Sequence, residues 1–146
     1  MDNGIAAQGN NSMKIMLDTN ILVSAALFPN GIASKAFQKA LSQPFEPLVC
    51  DYIVDELRRK FSEKFSDRSA VPERFLAATT SVIHVVAVPN EERSEKTSIR
   101  DIKDRPILRA AMGAGADFLL TGDKDFLEAH ILKPKIISVT EFLSMP

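Results

Sequence analysis

Short uninterrupted apolar runs alternate along the chain with longer stretches whose apolar residues recur every three or four positions. The runs lie at 14–17, 48–50, "SVIHVVAV" (81–88), "DFLLT" (117–121) and "KIISV" (135–139). Their length, β-branched content and bounding turn residues predict five strands.

The stretches between them carry helical signals. Residues 20–28 have helical length and composition and stop at Pro29-Asn30-Gly31. "SKAFQKALS" (34–42) puts Ala36, Phe37, Ala40 and Leu41 on one face. Pro44 and Pro47 then read as flanking a turn. Asp51 reads as the N-cap of "YIVDELRRKFSEKF", where Ile53, Leu57, Phe61 and Phe65 recur every four residues. Pro72 suits the first turn of a helix over 72–80. Residues 89–103 form a charged connection without apolar period. A helix follows, with Asp104 as N-cap, Pro106 in its first turn and Gly113 or Gly115 at its end. "DKDFLEAH" (123–130) allows one or two helical turns, and Thr140 reads as the cap of "EFLSM".

Alternating strands and helices predict an α/β fold, because parallel strands need crossover connections. Ligands of such sheets bind beyond the carboxyl ends of the strands. That rule gives the positions of the acids a chemical meaning. Asp18 follows the first strand directly, and Asp123 follows the fourth after Thr121-Gly122. Glu56 lies in the first two turns of the helix after strand two, and Asp104 caps the helix leading to strand four. All four map to one side of a parallel sheet. Gathered without cations they would repel and hold protons. With Mg²⁺ or Mn²⁺ they would form a hard-oxygen site able to take a phosphate. Helix capping alone also explains Asp18, Asp51 and Asp104, and Glu56 has an ordinary reading as a solvated helix residue. Both readings stand on the residues alone.

Composition narrows the field. The apolar share of 45% and charged share of 25% are those of a globular chain. The 146 residues suit one domain, expected over 13–146 after a disordered leader at 1–12. That leader lacks the charged and apolar regions of a signal peptide. No apolar stretch approaches the roughly 18 residues of a spanning helix, so no membrane role and a cytoplasmic location are expected. Cys50, His84 and His130 are too few and too scattered for a zinc site, and a lone cysteine excludes an internal disulfide. Net charge is −1, so any nucleic-acid contact must be local. Two basic clusters lie beside proposed acids: Arg58 and Arg59 near Glu56, and Arg100, Lys103 and Arg105 around Asp104. They read as solvated faces or as grips on a nucleic-acid backbone.

"MLDTNILVSA", "DYIVDEL", "RDIKDRPILRAA" and "DFLLTGDKDF", in this order and covering nearly the whole chain, resemble the PIN-domain family. More narrowly, the chain resembles the PIN-family toxins of bacterial and archaeal toxin–antitoxin systems. The resemblance implies a three-layer α/β/α fold with a central parallel sheet of about five strands. It implies an Mg²⁺- or Mn²⁺-dependent ribonuclease acting on single-stranded or structured RNA, a cognate antitoxin protein and a homodimer. It places the catalytic, metal-binding acids at Asp18, Glu56, Asp104 and Asp123. Asp101 offers a competing register for the third. Asn20, Thr121 and Asp125 fall on auxiliary positions. Two other functions compete: a non-catalytic PIN-like module that binds RNA or protein, and a phosphohydrolase with Asp18 as nucleophile. The latter usually carries a second aspartate two residues on, where this chain has Asn20.

Overall fold

A computed structural model describes residues 12–79, 81–89 and 105–146. The expected leader (Ser12 apart), Asp101 and Asp104 lie outside the described residues, as does nearly all of the charged connection.

Five strands form one parallel sheet: β1 (Met13–Leu17), β2 (Phe45–Cys50), β3 (His84–Val86), β4 (Phe118–Leu120) and β5 (Lys135–Ile137). Their spatial order is β3-β2-β1-β4-β5. Seven helices flank the sheet among the described residues: α1 (Thr19–Leu27), α2 (Ile32–Ala40), α3 (Asp51–Lys64), α4 (Val71–Thr79), α5 (Arg105–Gly113), α6 (Lys124–Leu127) and α7 (Val139–Ser144). A 3₁₀ turn at Ser66–Arg68 links α3 to α4. None of these helices is long and apolar enough to cross a membrane.

β1 is central, and Ile15, Met16 and Leu17 are fully buried, which is why it reads as an unbroken apolar run. Its entry is pinned to the segment before β4. The Lys14 amide donates to Asp117 Oδ2 (2.9 Å), and the Asp117 amide donates to the Lys14 carbonyl (2.8 Å). This register sets Leu17 beside Leu120, so the residues following each strand emerge side by side.

The strand order reverses between β1 and β4. The chain moves from β1 outward to β2 and β3, then returns to β1's other side. A crevice opens at such a switch point, at the carboxyl ends of the two strands. Asp18 follows one of them and Thr121 the other.

Several expected boundaries move. Strand β2 begins at Phe45, so Pro47 lies inside it instead of flanking a turn. Pairing with β3 starts at Leu48, so among the described residues Pro47 has a strand neighbour, β1, on one side, where a missing N–H is tolerated. Strand β3 is three residues long, not the whole of 81–88. Among the described residues it is an edge strand, with Val85 exposed, and it pairs with β2. Cys50, not Asp51, holds the N-cap position of α3; Asp51 is its first residue. The Asp51 carboxylate accepts from the Tyr52 amide (2.8 Å) and from the Val88 amide (3.3 Å), tying the helix start to the exit of β3. The final helix is capped by Ser138, not Thr140. The Ser138 hydroxyl accepts from the Glu141 amide and Glu141 Oε1 accepts from the Ser138 amide, a reciprocal capping box. Helix α5 ends as expected of its glycines. Gly115 takes φ +69°, and the amides of Gly115 and Ala116 return to the carbonyls of Met112 and Ala111.

Helix α3 carries Glu56 and is seated on the core by Ile53, Leu57 and Phe61, all fully buried. Phe61 also packs on Phe65, with ring centroids 5.4 Å apart. Phe61→Ala removes most of that anchor and should cost about 3–5 kcal/mol in urea denaturation. A loss below about 1 kcal/mol would show that the helix is held elsewhere.

Candidate active site

Asp18 ends β1 and starts α1. Its backbone is extended (φ −73°, ψ 156°) and its carbonyl accepts from the Ile21 amide, as an N-cap's should. Its side chain does something else. Oδ1 accepts from the adjacent Thr19 amide (2.7 Å), and Oδ2 accepts from the Thr121 hydroxyl on the neighbouring strand's exit (2.6 Å). A residue that only capped its helix would bond to the second or third helical amide. This one is tied across the switch point, and its own amide donates to the Leu120 carbonyl (3.0 Å).

The Thr121 hydroxyl is fully buried and has a second task, accepting from the Asp123 amide (3.0 Å). Asp123 caps α6: its Oδ1 accepts from the Asp125 amide (2.8 Å). From the other side, α3 brings Glu56, whose side chain is 12% exposed. Glu56 Oε1 accepts from the Thr19 hydroxyl (2.5 Å), and Oε2 faces Arg59 Nη2 at 3.4 Å.

These acids sense one another. Burial raises the Asp18 pKa above the ordinary carboxylate range, and the charges of Glu56 and Asp123 raise it further. The bonds from Thr121 and Thr19 pull in the opposite direction without cancelling the shift. Among the described residues no lysine or arginine pairs with Asp18. The donors are all oxygens, and a carboxylate under this stress is a natural partner for a small divalent cation. Among the described residues, no three acid, histidine or cysteine side chains are gathered tightly enough to make a complete metal site. The residues fit a metal at the level of donor chemistry and charge. Asp18, Glu56 and Asp123 are the described acids that hydrogen bonds and charge tie together there.

The other expected residues divide. Asn20 does not orient Asp18: its Oδ1 accepts from Lys60 Nζ (2.7 Å) on α3. Arg58 turns away from the acids and is held by Glu73 of α4, with Nε 2.6 Å from Oε2. Arg59 does face the acids, spanning Glu56 and Glu63 along its own helix. Arg100, Lys103 and the side chain of Arg105 lie outside the described residues. Cys50 is buried, and burial pushes its thiol up to about 11, so it is inert at neutral pH. The residue that sequence reasoning passed over is Thr19. Its signal was a hydroxyl directly after the first acid, at the first position of a helix.

A PIN domain family model matches residues 14–125, most of the chain and every strand but the last. The protein belongs to the PIN-domain family. Toxins of this family are generally nucleases, and PIN domains generally use divalent metals. No curated protein sequence matches the chain. Among solved structures, the PIN domain is similar to VapBC2 from Rickettsia felis bound to a DNA fragment from its promoter (TM-score 0.66, 18% identity). That match covers 86% of this chain and 98% of the other. VapBC-1 from nontypeable Haemophilus influenzae matches with TM-score 0.61 and 20% identity, over 88% and 99% of the two chains. VapBC from Salmonella typhimurium, bound to DNA, gives 0.58 and 20%, over 87% and 98%. At these identities the likeness concerns the fold.

Because the native state raises the Asp18 pKa, it holds that proton more tightly than the unfolded chain does. Native stability from this group is full below its unfolded value of 3.8 and falls as pH rises through the higher folded value. In EDTA at pH 7, Asp18→Asn should therefore be more stable than the wild type. The gain is read as a rise in Tm of the variant over the wild type. The gain should shrink as the pH is lowered toward about 4. A variant less stable at pH 7, or a gain that grows on acidification, would contradict the burial argument.

Proposed function

We propose that this PIN domain is a metal-dependent endoribonuclease that cuts phosphodiester bonds of single-stranded or structured RNA. The observation that carries the reading is Asp18: a buried carboxylate at the sheet's switch point, bonded to Thr121 and pushed up by burial, Glu56 and Asp123. Such an arrangement is costly for the fold and useful mainly to something positively charged.

Asp18, Glu56 and Asp123 would hold Mg²⁺ or Mn²⁺, with Asp104 the expected fourth acid and Asp101 its rival. When bound, the metal supplies the positive charge that activates water and offsets the charge growing on the phosphate. The chain's part is positional. Thr121 fixes one oxygen of Asp18 and the start of the Asp123 cap with a single hydroxyl. Arg59 and Lys60 lie about one helical turn beyond Glu56 on the same face, where a phosphate backbone could be gripped. A few local charges of this kind suit a chain whose net charge is −1.

The biological reading follows from the same fold. Solved structures similar to this chain are VapBC and FitAB toxin–antitoxin complexes, which supports a toxin restrained by a cognate antitoxin protein. A cytoplasmic location and a homodimer belong to the same proposal.

The test is RNA cleavage by purified protein with Mg²⁺ or Mn²⁺. EDTA should abolish cleavage, and excess metal should restore it. Glu56→Gln and Asp123→Asn should each lower the rate by about 10²-fold or more. Cleavage that survives EDTA, or that is unchanged in both variants, would overturn the assignment. A wild type that binds RNA but never cuts it would support the non-catalytic module instead.

A further inference from the structure

Thr19 touches two acids with two different groups. Its backbone amide donates to Asp18 Oδ1 (2.7 Å), and its hydroxyl donates to Glu56 Oε1 (2.5 Å). The residue is 1% exposed, so its own donors are shielded from bulk water, while the Glu56 carboxylate is only part-buried. Both ends are fixed by the fold. Thr19 opens α1 one residue after the central strand ends, while Glu56 rides on α3, anchored by Leu57 and Phe61 beneath it.

The consequence is geometric. Glu56 is a flexible side chain with three rotatable bonds, and it arrives from a different helix than Asp18. One of its oxygens is held by Thr19, leaving the other toward Arg59 and the space beside the acids. Thr19 thereby sets both the rotation of the Glu56 carboxylate and its spacing from Asp18. Groups that orient ligating carboxylates in this way typically contribute about 10–100-fold to metal affinity.

We propose that Thr19 is the positioning residue of the site, locking Glu56 beside Asp18 so that the two acids present a fixed pair of oxygens to a divalent cation. The proposal rests on the metal-dependent reading above. Thr19 itself touches neither cation nor RNA.

Mn²⁺ binding to the full chain, followed by the electron paramagnetic resonance signal of free Mn²⁺, tests it without reference to cleavage. Thr19→Val keeps the shape and removes the hydroxyl, and should weaken Mn²⁺ binding about tenfold. Thr19→Ser restores the hydroxyl and should bind within about threefold of the wild type, whereas a purely structural β-branched residue would not be rescued by serine. The double variant Thr19→Val/Glu56→Gln should bind no more weakly than Glu56→Gln alone, because Thr19 acts through Glu56. Thr19→Ala serves the same comparison if the valine variant does not fold. Thr19→Val binding as tightly as the wild type, or losses that add in the double variant, would overturn the positioning role while leaving the nuclease reading intact. A wild type that binds no Mn²⁺ would overturn both.

Discussion

The structure depends on one costly placement: a carboxylate buried at the point where the sheet's strand order reverses. Asp18 is 4% exposed, beneath the ends of β1 and β4, and two further acids add to the rise that burial gives its pKa. A fold selected only for stability would place an apolar or neutral residue there. The placement follows from elements around it that are otherwise ordinary. Three consecutive fully buried residues drive β1 through the centre of the sheet. The β1–β4 register then sets Leu17 against Leu120 and leaves Asp18 and Thr121 facing each other. The strand pairing thus fixes the hydroxyl–carboxylate bond, and that bond in turn ties the two sides of the crevice together.

Two threonines do most of the organising. Thr121 links the first acid to the cap that carries Asp123, and Thr19 links it to Glu56. Each hydroxyl is held at the end of a central strand or the start of the following helix, where strand pairing fixes the backbone. The basic residues are organised too, but differently. Arg58 is spent on Glu73, Arg59 lies between Glu56 and Glu63, and Lys60 is bonded to Asn20. The exposed charge of α3 is therefore largely paired within the chain, which agrees with a chain that is nearly neutral. A nucleic acid would have to compete for Arg59 and Lys60 with these intramolecular partners.

Much of this was legible from residue order. The five strands could be read because β1, β2 and β4 are buried on both faces and leave unbroken apolar runs. Asp18, Glu56 and Asp123 could be placed at one edge because parallel topology alone sends them there. What could not be read depends on packing between distant segments. That Arg58 turns to Glu73 depends on where α4 lies, and nothing near Arg58 announces it. Thr19 could be seen beside Asp18, but its bond to Glu56 requires the separation of α1 from α3. The Ser138 cap was legible, since Ser-x-x-Glu is a capping signature; Thr140 competes with it because it stands next to the apolar run. Strand β3 is short at the edge of the sheet, where Val85 is exposed and β2 is its one neighbour among the described residues.

The fold places Asp18 where its charge is costly, a cost that a proton or a bound cation would relieve. The most direct measurement of this is the titration of the Asp18 carboxyl carbon by NMR, without divalent metal and then with Mg²⁺. In the metal-free protein the group should titrate above the ordinary aspartate value of about 3.9, and added Mg²⁺ should lower it. A carboxyl that titrates at or below that value in both conditions would contradict the account.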